Sequence, residues 1–323
     1  GPSFALEAGV GCESCHGAGG TFLAAHVQPT SRHASNVAAG LYPTTDPTAR
    51  ATLCLSCHQG DATRQMTHRL YGAGHPRLRF ELDTYSALQP AHFKADADYR
   101  RRKPSPSHFR WWSTGQLRAA HRWLVEPRGA TPGLFPELAR FDCHSCHRGI
   151  NVDPEYRPRP GLAAGGLSLN DASLVVLRAL MALVLPEDFA AFKADSRALQ
   201  ATLNSPALHA QAARRLRATV DHLTTALTAR EETAADGRTV INALLMEAVQ
   251  EQPLSFSAAE SIAMSVATLL TAEFEHQRLS AEEFKQVSAR LDRVFAAVSD
   301  EQSYRSRAFS AALAEVATVL EKP

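Results

Sequence analysis

Cys54-Leu55-Ser56-Cys57-His58, with Met66-Thr67-His68-Arg69-Leu70-Tyr71-Gly72-Ala73-Gly74-His75-Pro76 after it, is the stretch around which the chain is organised. Two thiols separated by two residues, with a histidine immediately following, are what covalent attachment of c-type haem requires. The thiols bond the porphyrin vinyl groups and the adjacent imidazole reaches the iron. The pattern recurs at Cys12-Glu13-Ser14-Cys15-His16 and at Cys143-His144-Ser145-Cys146-His147, so three copies use all six cysteines. A Cys-x-x-Cys pair alone also reads as a redox dithiol or as half of a zinc site. Those readings do not explain a histidine at the same next position three times, and a disulfide framework would not need the histidines. The expectation is three covalently bound haem c groups, attached through Cys12 and Cys15, Cys54 and Cys57, and Cys143 and Cys146. His16, His58 and His147 are then the proximal iron ligands.

A chain of 323 residues with 45% apolar content is long enough for about two domains, each with a core. Residues 1–150 are rich in Gly, Pro, His and Arg with weak periodicity, as expected of a trihaem domain in which the cofactors supply much of the core. Helical pieces are expected over Thr48 to Cys57 and over Thr114 to Leu124, the latter with Leu117, His121 and Leu124 on one face. Residues 151–168, with Pro154, Pro158, Pro160 and Gly165-Gly166, read as a linker.

Residues 169–323 hold no haem motif and read as an antiparallel α-helical bundle, so the fold class is mainly α. Helical spacing recurs at Leu216, Val220, Leu223, Leu227; at Phe284, Val287, Leu291, Val294, Val298; and at Phe309, Leu313, Val316, Leu320. Ser257-Ala258-Ala259-Glu260 and Ser280-Ala281-Glu282-Glu283 read as capping boxes, and Ser205-Pro206 as a cap followed by a first-turn proline. Six or seven helices are expected, with breaks near Leu185-Pro186, Asn204, Ala235 to Gly237, Pro253 and Asp300.

The formal charge of +1 argues against nucleic acid as a partner. The basic run Tyr99-Arg100-Arg101-Arg102-Lys103 reads either as a solvated loop or as a face for haem propionates or an acidic redox partner. The most apolar stretch, Leu174 to Leu185, contains Arg178 and is too short to span a bilayer. Covalent haem is installed outside the bacterial cytoplasm, so the expected location is periplasmic. Gly1-Pro2-Ser3 reads as the scar of a cleaved tag, which places the expected export signal outside this sequence. A homo-oligomer is left open.

A sixth ligand decides what each iron does: methionine raises its potential, histidine leaves it lower, and an open position admits a substrate. Met66 is the one methionine before the linker, while Met181, Met246 and Met264 sit in apolar helical patterns as core residues. Histidine is therefore the expected ligand. Eight non-proximal histidines precede the linker: His26, His33, His68, His75, His92, His108, His121 and His144. His75 ranks first, held on a loop between Gly74 and Pro76. His26 and His68 follow, each ten residues beyond a proximal histidine, and then His33 and His92. His108 and His121 read as ordinary polar histidines, as do His209, His222 and His276. His144 lies inside an attachment motif and has the least reach.

Gly9-Val10-Gly11-Cys12-Glu13-Ser14-Cys15-His16-Gly17 with His26, Cys54 through Gly60, and Gly72-Ala73-Gly74-His75-Pro76-Arg77-Leu78-Arg79-Phe80-Glu81-Leu82-Asp83 resemble multihaem c-type cytochromes of the cytochrome c-554 family. The resemblance covers roughly the first half and implies closely packed bis-histidine haems that transfer electrons. It departs from the tetrahaem pattern in having three attachment sites. The leading expectation is electron carriage between other redox proteins as donor and acceptor. The alternative is a redox enzyme converting a small nitrogen, sulfur or oxygen compound at one five-coordinate haem, with Tyr71, Arg77, Tyr85 or His92 over the open face. A third reading is a haem-bearing sensor or assembly subunit whose helices recognise a partner.

Overall fold

The computed structural model describes residues 9–61, 63–94, 96–103, 105–125, 137–147, 162, 166–250 and 253–320. Most of the expected linker, and Gly1-Pro2-Ser3, lie outside them. The fold is mainly helical, and among the described residues no strand forms. Phe141 and Leu169 make an isolated antiparallel bridge.

The first hundred residues form short helices: α1 (Cys12–His16), α2 (Leu23–His26), α3 (His33–Ala38), α4 (Pro47–His58), α5 (His68–Gly72), α6 (Leu82–Leu88) and α7 (Ala97–Arg102). Helices below about 12 residues are marginal alone in water, so these depend on packing or capping. Asp46 caps α4 by accepting the Ala49 N–H at 2.7 Å, with Pro47 in the first turn. Within residues 9–103 the described apolar side chains that are buried are Phe22, Ala51, Leu55 and Leu82. The segment thus has only a small core, which Trp111 of the next long helix completes.

Helix α8 (His108–Val125) starts six residues before the expected Thr114. Ser107 explains the early start, because its hydroxyl accepts the Arg110 N–H at 3.0 Å and satisfies a first-turn donor. Of the face expected at Leu117, His121 and Leu124, the two leucines are buried and His121 is half-buried, 3.4 Å from Asp221.

Seven further helices follow among the described residues: α9 (Ala172–Val184), α10 (Phe189–Ala201), α11 (Pro206–Ala229), α12 (Asp236–Gln250), α13 (Phe256–Glu275), α14 (Ala281–Ala297) and α15 (Ser306–Leu320). Helix α9 is buried on nearly every side from Leu174 to Met181, as an all-round apolar helix must be. Arg178 in its middle is paired with the buried Glu247 of α12, which removes the cost of an isolated charge. No helix among the described residues is long and apolar enough to cross a membrane.

Two sequence expectations are corrected here. Ser257 and Glu260 do not form a capping box: α13 starts at Phe256 and its cap is Ser255, whose hydroxyl accepts the Ala258 N–H at 3.2 Å. The break expected at Ala235 to Gly237 lies earlier, because α12 begins at Asp236 and Gly237 is helical. Asp236 is held there by Arg230 and Thr233. The box at Ser280 and Glu283 forms. Ser205 precedes Pro206 at the start of α11 but makes no side-chain cap bond. His209 is buried, with Nδ1 2.8 Å from the Leu199 carbonyl, and is not a surface residue.

Helix α8 joins the two halves. Phe109, Trp112, Leu117, Ala120 and Leu124 enter the large core with α9, α11 and α13, while Trp111 and Ala119 pack on Ala51 and Leu55 of α4 and on Leu82 of α6. At Gly115 the helices α6 and α8 approach so closely that a Cβ would sit 2.6 Å from that of Leu82. Buried Glu81 caps α6 through the Asp83 and Thr84 N–H groups and accepts the Thr268 hydroxyl of α13. His108 lies between Asp83 at 2.5 Å and Glu275 at 2.8 Å. Its role is therefore structural, beyond that of an ordinary polar histidine.

The hydrogen bond with Asp83 is the main reason His108 is raised from 6.5 to about 9. A raised histidine stabilises the fold fully below its unfolded pKa, and that contribution fades as pH rises through the folded value. The stability difference between the parent and His108→Gln should therefore shrink between about pH 6 and pH 10 in denaturant titrations; a constant difference would refute the clamp. Gly115→Ala should lower stability by about 1–3 kcal/mol despite the better helix propensity of alanine, measured in the same way.

Candidate functional site

Each Cys-x-x-Cys-His motif is one helical turn. Cys12, Cys15 and His16 span α1, and Cys54, Cys57 and His58 close α4. Cys143 opens a 3-10 turn, and the His147 N–H donates to the Cys143 carbonyl at 2.8 Å. Positions i, i+3 and i+4 share one helical face, so in α1 and α4 both thiols and the imidazole project to the same side, while the third motif closes the same i to i+4 hydrogen bond. All six thiols are free of disulfides; Cys12, Cys57 and Cys146 are exposed, and Cys15, Cys54 and Cys143 are half-buried. Burial raises the Cys143 thiol to about 11 and raises Cys54 as well.

Gly17 ends α1 at φ +81°, and a Cβ there would meet the Gly40 carbonyl oxygen at 2.6 Å, so the chain after His16 turns where only glycine fits. The Tyr42 N–H donates to the His16 carbonyl at 2.9 Å and fixes the motif against the next segment. Burial lowers the imidazole pKa of His16 and His58; for His16, the neighbouring His92 and Arg50 add to it. Both rings are therefore neutral at pH 7 and keep a lone pair for a metal.

The other histidines are distributed unevenly. The ring centroid of His92 lies 6.0 Å from that of His16, at an interplanar angle of 67°. The ring of His68 lies 6.0 Å from that of His147, at 34°. His75 and His58 line one cavity of about 510 Å³ together with Arg77, Tyr85, Phe256 and Glu301, within the size range of small-molecule and cofactor sites. His58 itself packs against Phe80 and Tyr85 at 4.9 and 5.0 Å. His26 is exposed at the end of α2, and His33 opens α3 with Nε2 3.4 Å from the Thr45 hydroxyl. The ten-residue recurrence of His26 and His68 does not repeat a geometry, since His68 meets His147 and not the motif preceding it. His144 is buried edge-on to Tyr304 at 5.6 Å.

The loop after His75 is fixed to the second half of the chain. Gly74 adopts φ +100°, and the His75 Nδ1 lies 2.7 Å from the Pro76 carbonyl. Arg77 stacks 4.6 Å over Phe256, donates to the Ser257 hydroxyl at 3.2 Å and pairs with Glu260, with Glu301 at 3.6 Å. Arg79 donates to the other oxygen of Glu260 at 3.1 Å. Ser257 and Glu260, read from sequence as caps, are thus the anchor of this loop. The signal that could have found them is Ser255, a second serine able to cap the same helix. In the basic run, Arg101 pairs with Asp98 and Lys103 lies 5.2 Å over the Tyr99 ring.

These residues suit covalent haem. Val10, Leu70 and Phe93 are 83%, 43% and 54% exposed, and each lies within two residues of Cys12, His68 or His92. Apolar side chains flank these positions in a segment whose own core is small, as a large apolar cofactor would require. Structural zinc needs four converging ligands, and among the described residues no three His, Cys, Asp or Glu side chains are arranged to hold a metal ion.

Glu260→Ala removes the shared partner of Arg77 and Arg79 and should cost about 2 kcal/mol of stability, read by denaturant unfolding. An unchanged midpoint would show that the loop is held by other contacts. No protein-family model, curated protein or solved structure matches this chain.

Proposed function

We propose that the chain is a periplasmic trihaem c-type cytochrome that carries electrons between other redox proteins. The observation that carries this reading is the folding of each of the three motifs into a turn with two free thiols, which in α1 and α4 share one face with the imidazole. Bound haem would supply one-electron redox chemistry. The chain supplies the attachment thiols, the imidazoles and apolar side chains beside them. Ligation of an iron by two histidines would be the same in the ferric and ferrous states, so little reorganisation would accompany each electron.

The finer architecture belongs to the same proposal. Residues 1–150 form a haem-packed domain, in line with the few buried apolar side chains upstream of α8, and residues 169–323 an antiparallel bundle without haem. Short connections between helices that pack on one another, α10 on α11, α12 on α13 and α14 on α15, support the bundle. Its role would be to wall the cavity beside His58, to which it contributes Phe256, Glu260 and Glu301.

That cavity also favours one alternative. Tyr85, Arg77 and Arg79 beside His58 could position a small nitrogen, sulfur or oxygen compound if that iron were five-coordinate, which would make the protein a redox enzyme. The two readings separate in the optical and low-temperature EPR spectra of the holoprotein, oxidised and then reduced with and without carbon monoxide. Electron carriage predicts three low-spin haems that ignore the gas. A high-spin haem that binds it would favour the enzyme.

A further inference from the structure

We propose that His92 is the sixth ligand of the iron whose proximal ligand is His16, and that His68 is the sixth ligand of the iron held by His147. The assignment rests on the trihaem reading and deepens it, because the sequence alone left five histidines in competition without pairing any of them to a motif.

The argument is geometric. A metal–nitrogen bond is about 2 Å long, so two imidazoles on opposite sides of one iron have ring centroids about 6 Å apart. Both pairs stand at 6.0 Å. The interplanar angles of 67° and 34° agree with this arrangement, since opposed imidazoles share an axis through the metal and are free to differ in rotation about it.

Each partner is also placed by contacts of its own. His68 opens α5, where Glu137 accepts its N–H at 2.7 Å and the Ala139 N–H at 3.0 Å. One carboxylate thus ties α5 to the segment leading into Cys143. His92 is edge-on to Phe93 at 5.2 Å, and Phe93 packs on Tyr99 at 5.0 Å, so the ring is supported by an aromatic row from α7. The exposed apolar surface of Phe93 lies next to His92, where a bound porphyrin could cover it.

The assignment gives His26 no place at the irons of His16 and His147. His75 lines the cavity with His58, and the two pairs above do not depend on which group completes that third centre.

The test uses the holoprotein and His92→Met, His68→Met and His26→Met variants, with haem counted by intact mass before any spectrum is taken. Methionine ligation raises the potential of an iron relative to histidine. His92→Met and His68→Met should each retain three haems and move one reduction step of three to higher potential, or convert one low-spin EPR signal of three to high-spin. His26→Met should match the parent. Should a methionine variant fail to mature, His92→Ala and His68→Ala prepared with and without imidazole replace it; imidazole should restore the low-spin signal. Spectra and titrations of the His92 or His68 variants identical to the parent would overturn the pairing with the haem reading intact. A parent that carries no haem by mass would instead overturn the reading beneath it.

Discussion

Helix α8 has two apolar faces and no free side, and the arrangement of the molecule follows from that. A helix buried on one stripe would have left the first hundred residues tethered to the rest by a loop. Here Trp112 and Leu117 enter the large core while Trp111 and Ala119 receive α4 and α6. The glycine at position 115 sets how closely α6 can approach, and His108 and Glu81 connect the same region to α13 through charge and hydrogen bonding. The end of α4 that carries Cys54, Cys57 and His58 is thereby held against a rigid body.

The contrast between the halves is one of core. From α9 onward, Leu, Val, Ala and Phe side chains pack at close to zero exposure, with Arg178 neutralised by Glu247. Upstream of α8, short helices carry two of the three thiol pairs and seven of the fourteen histidines, with few buried apolar side chains between them. A segment with so little core cannot offset its conformational entropy through protein contacts alone. On the proposed reading, haem attached at the three motifs would supply the core that this segment lacks.

Much of this was legible in the sequence. The period that marks Leu216, Val220, Leu223 and Leu227 marks buried positions, because a helix packed on a core must repeat its apolar face. The Ser280 box was legible because capping is local. Ser257 and Glu260 were misread because two serines lie close enough to compete, and the deciding partners, Arg77 and Arg79, come from a loop about 180 residues away. The early start of α8 was carried by Ser107 and was overlooked. The turns at the three Cys-x-x-Cys-His motifs were legible because they are local. Which histidine lies near which turn was not, since proximity of His92 to His16 and of His68 to His147 is set by long-range packing.

The central claim is that all six cysteines exist to attach haem. Its most direct test is the intact mass of the protein produced in a host able to attach haem c, measured together with alkylation of free thiols. The account predicts a mass increased by three haems and no thiol open to alkylation. A bare chain with six alkylatable thiols would contradict it.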